Sequence, residues 1–387
     1  MKLTSLFKDF FTSEKTGGFL LILCTLLSLL IANSHAGASY IQFWETNIGG
    51  HSLTHWINDG LMSIFFLLIG LELEREVYIG ELSDVKNALF PIISAIGGVL
   101  IPAGIYLYFN YGGSAQSGAG IPMATDIAFA IGVLALLGNK VPASLKVFLT
   151  ALAVIDDLCA ILVIAIFYTS SISIMYLGIA GILWLLLFIL NRKKVHALAP
   201  YLIGGIGMWY CMLHSGIHAT IAGVLLAFVI PFGNGEENTS SYRLQHYLHK
   251  PVAFIILPLF ALANTCIAFG SNWSEGLFTA EGIGILAGLV IGKPLGIVLF
   301  SSVSVLIGWC VLPEGLGWKH ILGAGLLAGI GFTMSIFITL LAFSDPQQIA
   351  TGKIAILFAS LIAGMAGLIA LNSILKNAPS QKDDLNT

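Results

Sequence analysis

Twelve apolar runs, most of them near the width of a lipid bilayer, decide what this 387-residue chain can fold into. A spanning helix takes about 20 residues. Polar or glycine-rich breaks divide the chain into runs at 16–33, 57–79, 88–109, 119–138, 143–169, 173–190, 198–214, 216–231, 250–271, 282–307, 320–343 and 352–375. Only 17 basic and 20 acidic side chains accompany an apolar content of 57 %, and the mean hydropathy is +0.93. That leaves too little polar surface to coat a soluble globule. Soluble enzymes, nucleic-acid binders, disordered regulators and disulfide scaffolds are therefore excluded, and the bilayer is the expected solvent. The expected fold class is an all-α polytopic membrane protein of about 12 transmembrane helices, a single transporter domain over 1–387. The runs 198–214 and 216–231 are short and nearly contiguous, so tilted or partly submerged helices are expected there.

Charge position orients the chain. With twelve spans and the amphipathic lead-in Met1–Lys15 on the inside, every one of the 17 basic residues except Lys293 and Lys353 falls on the cytoplasmic side. The expected topology is multi-pass with both termini in the cytoplasm. Cys24, Cys159, Cys211, Cys266 and Cys310 are scattered singly through apolar runs, with no Cys-x-x-Cys pair. They point to neither a disulfide framework nor a metal site, and no cofactor is expected. Between the first two runs, Gly49-Gly50 is flanked by short stretches of mixed polarity, which predicts an external hairpin over about 40–55. Its edges are open to pairing with another chain.

Four charges stand where hydrocarbon should be: Asp126, Asp156, Asp157 and Lys293. Each costs several kcal/mol at bilayer depth and requires a reason. One lysine satisfies one carboxylate, so the other acids must be protonated, hydrated or bound to a cation. Asp156 and Asp157 diverge by about 100° on a helix, so both can border one cavity, or one can turn toward a basic group. Neighbouring carboxylates in a low dielectric resist double ionisation, and hard oxygen ligands suit a small alkali cation. A pocket that takes either protons or such a cation is a competitive exchanger. Asp126 follows Pro122 and a glycine-rich stretch in the fourth span. Gly329 and Gly331 interrupt the eleventh, and Thr125-x-x-x-Phe129 matches Thr333-x-x-x-Phe337. Matched interruptions suggest that spans 3–5 (about 88–169) and 10–12 (about 282–375) are inverted repeats. Paired positive half-helix ends would favour Asp126, and paired negative ends Lys293.

These residues stand in stretches that resemble bacterial sodium/proton antiporters of the NhaA family: Trp-Ile-Asn-Asp59-Gly-Leu-Met, Gly-Leu-Glu72-Leu-Glu-Arg75-Glu76, Ala-Thr-Asp126-Ile-Ala-Phe-Ala, Ile-Asp156-Asp157-Leu, Ser-Gly-Ile-His218-Ala-Thr, Gly-Lys293-Pro-Leu-Gly and Gly-Ile-Gly-Phe-Thr333-Met-Ser. They run in the family's order over almost the whole chain. The resemblance implies an inner-membrane antiporter exporting Na⁺ or Li⁺ against H⁺, with more than one proton per cation and hence driven by the membrane potential. It implies interrupted helices at spans 4 and 11. Asp157 is then the principal Na⁺ ligand and proton carrier, with Asp156 beside it and Thr125 a further ligand. Lys293 pairs with Asp156, and Lys293 and Asp126 offset the half-helix dipoles. The resemblance also implies activation by an alkaline cytoplasm, with Glu72, Arg75, Glu76, His246 and His249 as pH-sensing candidates; His218, in another matching stretch, is added as a further candidate. Gln245 departs from the acidic residue found in the best-known member. A homodimer through residues 40–55 is implied as well.

Other functions fit these residues less well. A cation-coupled symporter of an organic solute would need aromatic or amide groups facing the cavity, and mid-span polar groups are few. An intramembrane aspartyl protease would need two aspartates sharing a proton beside a peptide bond, which adjacent aspartates with a nearby lysine fit poorly.

Overall fold

In hydrocarbon every backbone N–H and C=O must be satisfied within the protein, which favours helices. The computed structural model describes residues 5–80, 82–169, 172–270 and 273–376, and these are helical apart from connections and one two-stranded hairpin. Lys2 and Lys382, assigned to the cytoplasmic side above, lie outside the described residues. Among the described residues, nine helices are long and apolar enough to cross a membrane. A bent pair, Trp318–Ala328 and Phe332–Ala342, makes a tenth. Leu198–Leu213 and Ile221–Ala227 take the places of the remaining two expected spans.

The eighth run is much shorter than its apolar length suggested. Its helix has 7 residues, about 10 Å of rise, and residues 216–220 before it are turns and irregular backbone, with Gly216 at φ +83°. The hairpin is also smaller than expected. It pairs Asn47 with Ser52 and Ile48 with His51 around Gly49 and Gly50, both at positive φ, the backbone of a tight two-residue turn. Residues 40–44 belong instead to the helix Gly37–Trp44, whose Trp44 is buried.

The fourth span breaks in two. Gln116–Met123 winds as a 3-10 helix, Ala124 to Asp126 are extended or capping, and Ile127–Ala135 is an α-helix. Gly118, Gly120 and Pro122 disfavour a regular α-helix in the first half. In the eleventh span the break falls at residues 329–331, with a bend of 48°. The tenth span, Ala280–Ile307, widens to a π-helix over Gly288–Gly292, immediately before Lys293 and Pro294. Proline lacks the N–H that would close the preceding turn, so the wider winding is the local accommodation.

Close approach of the third and tenth spans sets the depth of the site. A Cβ on Gly97 would lie 2.2 Å from the Gly296 carbonyl oxygen, and one on Gly296 would lie 2.1 Å from that of Gly97. Backbone meets backbone there, and small residues allow such contact between membrane helices. Lys293 is one turn away and is fully buried.

Candidate functional site

Where a helix is interrupted, four N–H and four C=O groups lose their helical partners, and buried ones must find others. The two breaks cross, and several of these groups are met by side chains or backbone of the opposite break. Asp126 caps the helix Ile127–Ala135, its Oδ1 accepting from the Phe129 N–H at 3.0 Å. Its Oδ2 accepts from the Thr333 N–H at 3.0 Å and from the Thr333 hydroxyl at 2.5 Å. One carboxylate thus serves the N-terminal ends of both half-helices, where the dipoles favour negative charge. The Asp126 N–H donates to the Ile330 carbonyl at 2.7 Å, and Ser335 donates to the Ile121 carbonyl at 2.7 Å. The Phe332 N–H donates to Ser360 Oγ at 3.2 Å.

The C-terminal half-helix ends are met by donors. Lys293 Nζ donates to the carbonyl of Met123, the last residue of the 3-10 half, and pairs with Asp156 Oδ2 at 2.6 Å. Thr125 Oγ1 lies 2.8 Å from Asp156 Oδ2 and 2.9 Å from the carbonyl of Ala328, the last residue of the other half-helix. A hydroxyl has a single proton to give. Thr125 therefore donates to one of these acceptors at a time, unless Asp156 is itself protonated and returns the bond.

Asp157, one residue along, points elsewhere. It is 1 % exposed, and its Oδ1 has no hydrogen-bond partner among the described residues; the same holds for Asp156 Oδ1. Two turns back on the same helix, the buried Thr150 hydroxyl is also without a partner. Asp157 lines a small cavity with Asp126, Thr333, Phe65, Ile69, Val252 and Glu72. The cavity offers about 20 Å³ to the centre of a water-sized sphere, enough for one water or one small ion. Adjacent aspartates have thus been given different surroundings, one facing a lysine and the other a small, mostly apolar void. The side-chain oxygens that do reach its walls, from Asp157, Asp126, Glu72 and Thr333, are hard donors of the kind an alkali cation takes.

Glu72 extends the cavity toward the end of the bundle opposite the hairpin. Its Oε1 lies 3.8 Å from His249 Nδ1, and both side chains are largely buried. Arg75 stacks over Tyr242 at 5.2 Å, and Glu76 folds over Gly80. His246 lies on the exposed side of the same helix as His249, stacked on Tyr242 rather than joined to Glu72. His218 is at the hairpin end, with Nε2 2.8 Å from the Tyr168 carbonyl. The structure therefore separates the six pH-sensing candidates. Glu72, Arg75, Glu76 and His249 share one end, His246 is on its outside, and His218 is at the other end.

Several site groups had no signal in the sequence. The Met123 and Ala328 carbonyls are backbone atoms, and Ser360 is one small residue in a long apolar helix. Glu74, buried and hydrogen-bonded by Ser241 at 3.3 Å, sat unremarked inside the Glu72 stretch. The Thr125/Thr333 correspondence does not extend to the aromatic contacts. Phe129 packs on Phe332 and Phe337 on Phe66.

A family profile described as Na+/H+ antiporter 1 matches residues 8–371. The chain is 67 % identical over 375 residues to the Na(+)/H(+) antiporter NhaA 1 of Flavobacterium johnsoniae, covering 97 % of this chain and 98 % of that protein. It is 61 % identical to the Na(+)/H(+) antiporter NhaA of Cytophaga hutchinsonii, with 99 % of both chains covered. The fold is similar to that of the sodium proton antiporter MjNhaP1 from Methanocaldococcus jannaschii, at a TM-score of 0.50 and 17 % identity over 95 % of both chains. On sequence over its whole length, this chain belongs to the NhaA family of Na⁺/H⁺ antiporters.

Proposed function

We propose that this protein is a secondary active antiporter of the bacterial inner membrane that exports cytoplasmic Na⁺ or Li⁺ in exchange for protons from outside. More than one proton moves per cation, so the membrane potential drives the exchange. The hairpin faces outward, and the Glu72–His249 end and both termini face the cytoplasm. The observation that carries this reading is Asp157, a buried carboxylate with an unpartnered oxygen on the wall of a small, mostly apolar cavity. Such a group is stable only with a proton or a metal cation beside it.

In the proton-loaded form, Asp157 holds a proton and charged Lys293 holds Asp156. A Na⁺ arriving past Glu72 displaces the Asp157 proton and takes its carboxylate. Asp156 then swings from Lys293 to complete the oxygen shell, with the Thr125 hydroxyl a further ligand, and Lys293 gives up its proton. Asp126 and the half-helix ends stay fixed and hold the electrostatic frame. Glu72, Arg75, Glu76 and His249 form the element that responds to cytoplasmic pH. The hairpin pairs with that of a second copy, its edge carrying the exposed Ile48. The lipid bilayer is the solvent, Na⁺ and H⁺ are cargo, and no cofactor is required.

Everted vesicles loaded with a pH-sensitive dye test the reading. Addition of NaCl or LiCl should collapse the imposed acid gradient while choline chloride does not. Purified Asp157→Asn protein should release no protons on Na⁺ addition. Retained release would remove Asp157 from the site.

A further inference from the structure

Another carboxylate with an unpartnered oxygen lies at the hairpin end, away from the crossing. There the ends of the third, tenth and twelfth spans surround an open cavity of about 790 Å³ including its mouth. Glu281, in the first turn of the tenth span, is 7 % exposed, and its Oε1 has no hydrogen-bond partner among the described residues. That carboxylate abuts the bare backbone of Gly352, where a Cβ would come to 3.3 Å of Oε1. Asp345 lines the same cavity, and its Oδ1 accepts from the Gln347 N–H at 3.0 Å. Across the mouth, the Gln348 amide meets the Ser114 hydroxyl at 3.4 Å. Among the described residues that line the cavity there is no lysine or arginine. A glutamate buried in such surroundings is stable only when a proton or a cation neutralises it.

We propose that Glu281 and Asp345 bind a hard divalent cation of the Ca²⁺ kind at this mouth. Two carboxylates supply the charge such an ion needs, amide and hydroxyl oxygens are at hand, and the open side leaves room for bound water. Ca²⁺ accepts six to eight oxygens in flexible geometry, whereas Mg²⁺ demands a tighter octahedron. Occupancy would clamp the start of the tenth span to the start of the twelfth. The site is separate from the Asp157 cavity and shares no lining residue with it.

The test titrates CaCl₂ calorimetrically into the purified full-length protein in Na⁺-free choline buffer. Tb³⁺ luminescence sensitised by Tyr111, which lines the cavity, gives a second readout. One saturable site is expected with Kd of about 10⁻⁴ to 10⁻³ M, as in exposed calcium modules. Glu281→Gln and Asp345→Asn should each weaken binding about tenfold or more, while Asp157→Asn leaves it unchanged. Size-exclusion profiles check that the variants are folded, and either variant alone suffices if the other is not. Three results would each overturn the proposal: no saturable Ca²⁺ binding by the unmodified protein; binding lost in Asp157→Asn yet kept in the two mouth variants; or a mouth that binds Na⁺ but not Ca²⁺.

Discussion

Replacing Lys293 by Met tests the electrostatics of the crossing most directly. The side chain is fully buried, pairs with Asp156 at 2.6 Å and donates to the Met123 carbonyl. Met is similar in length and apolar, so packing changes little and the charge is the main loss. Breaking a buried ion pair from one side costs about 3–5 kcal/mol, because the remaining charge is left uncompensated. At about 2 °C per kcal/mol for a chain of this size, the melting temperature should fall by roughly 6–10 °C. The buried thiols of Cys24, Cys211 and Cys310 provide the assay, since a thiol-reactive dye reports their exposure on heating. A second variant, Asp156→Asn, and the double variant complete a cycle. Because removal of both partners leaves no orphan charge, the double variant should be more stable than Lys293→Met alone, with a coupling of about 2–3 kcal/mol. A coupling near zero would refute the reasoning, since Lys293 and Asp156 would then be energetically independent.

Thr333→Val removes the hydroxyl that donates to Asp126 at 2.5 Å while leaving the backbone donor in place. A charge-assisted bond of this kind contributes about 1.5–3 kcal/mol, and the same dye assay should show that loss; an unchanged melting curve would mean that the backbone N–H alone suffices. Gly296→Ala places a methyl 2.1 Å from the Gly97 carbonyl oxygen, forcing the third and tenth spans apart at about 1–3 kcal/mol or more, and monodisperse yield should fall.

How much of this was legible follows from the background against which each residue is seen. Asp126, Asp156, Asp157 and Lys293 stood out because charge inside apolar runs is costly, and the fold brings all four to the crossing. Glycine and proline marked both interruptions, although not that the first half of the fourth span would wind as a 3-10 helix. Glu281 escaped notice because it sits at the edge of an apolar run, where an acidic residue looks solvated. Tertiary packing buries it, with Gly352 of the twelfth span against its carboxylate. His246 and His249 are three residues apart, roughly 60° on a helix, and no local signal distinguishes the one facing Glu72 from the one facing out. The Met123 and Ala328 acceptors are main-chain atoms, whose role depends on where two distant breaks meet.

The charge balance of the crossing leads to a final prediction about stoichiometry. Each half-helix end carries about half an elementary charge. The two positive ends at Asp126 offset that carboxylate, and the two negative ends near Met123 and Ala328 face Lys293 and Thr125. Asp126 and the half-helix ends stay fixed, so the charge that changes is that of Asp157 and Lys293, each of which carries a proton in the proton-loaded form. Both protons leave when one Na⁺ binds between Asp157 and Asp156, so two positive charges are exchanged for one. Alternation between a two-proton form and a one-cation form carries one net charge across the membrane per cycle. Proteoliposomes with a potassium diffusion potential check this. Exchange should accelerate or reverse with the sign of the imposed voltage, and zero flux should fall where the Na⁺ gradient balances about two proton driving forces. Flux indifferent to voltage would mean that one proton moves per cation and that Asp156 keeps its lysine throughout the cycle.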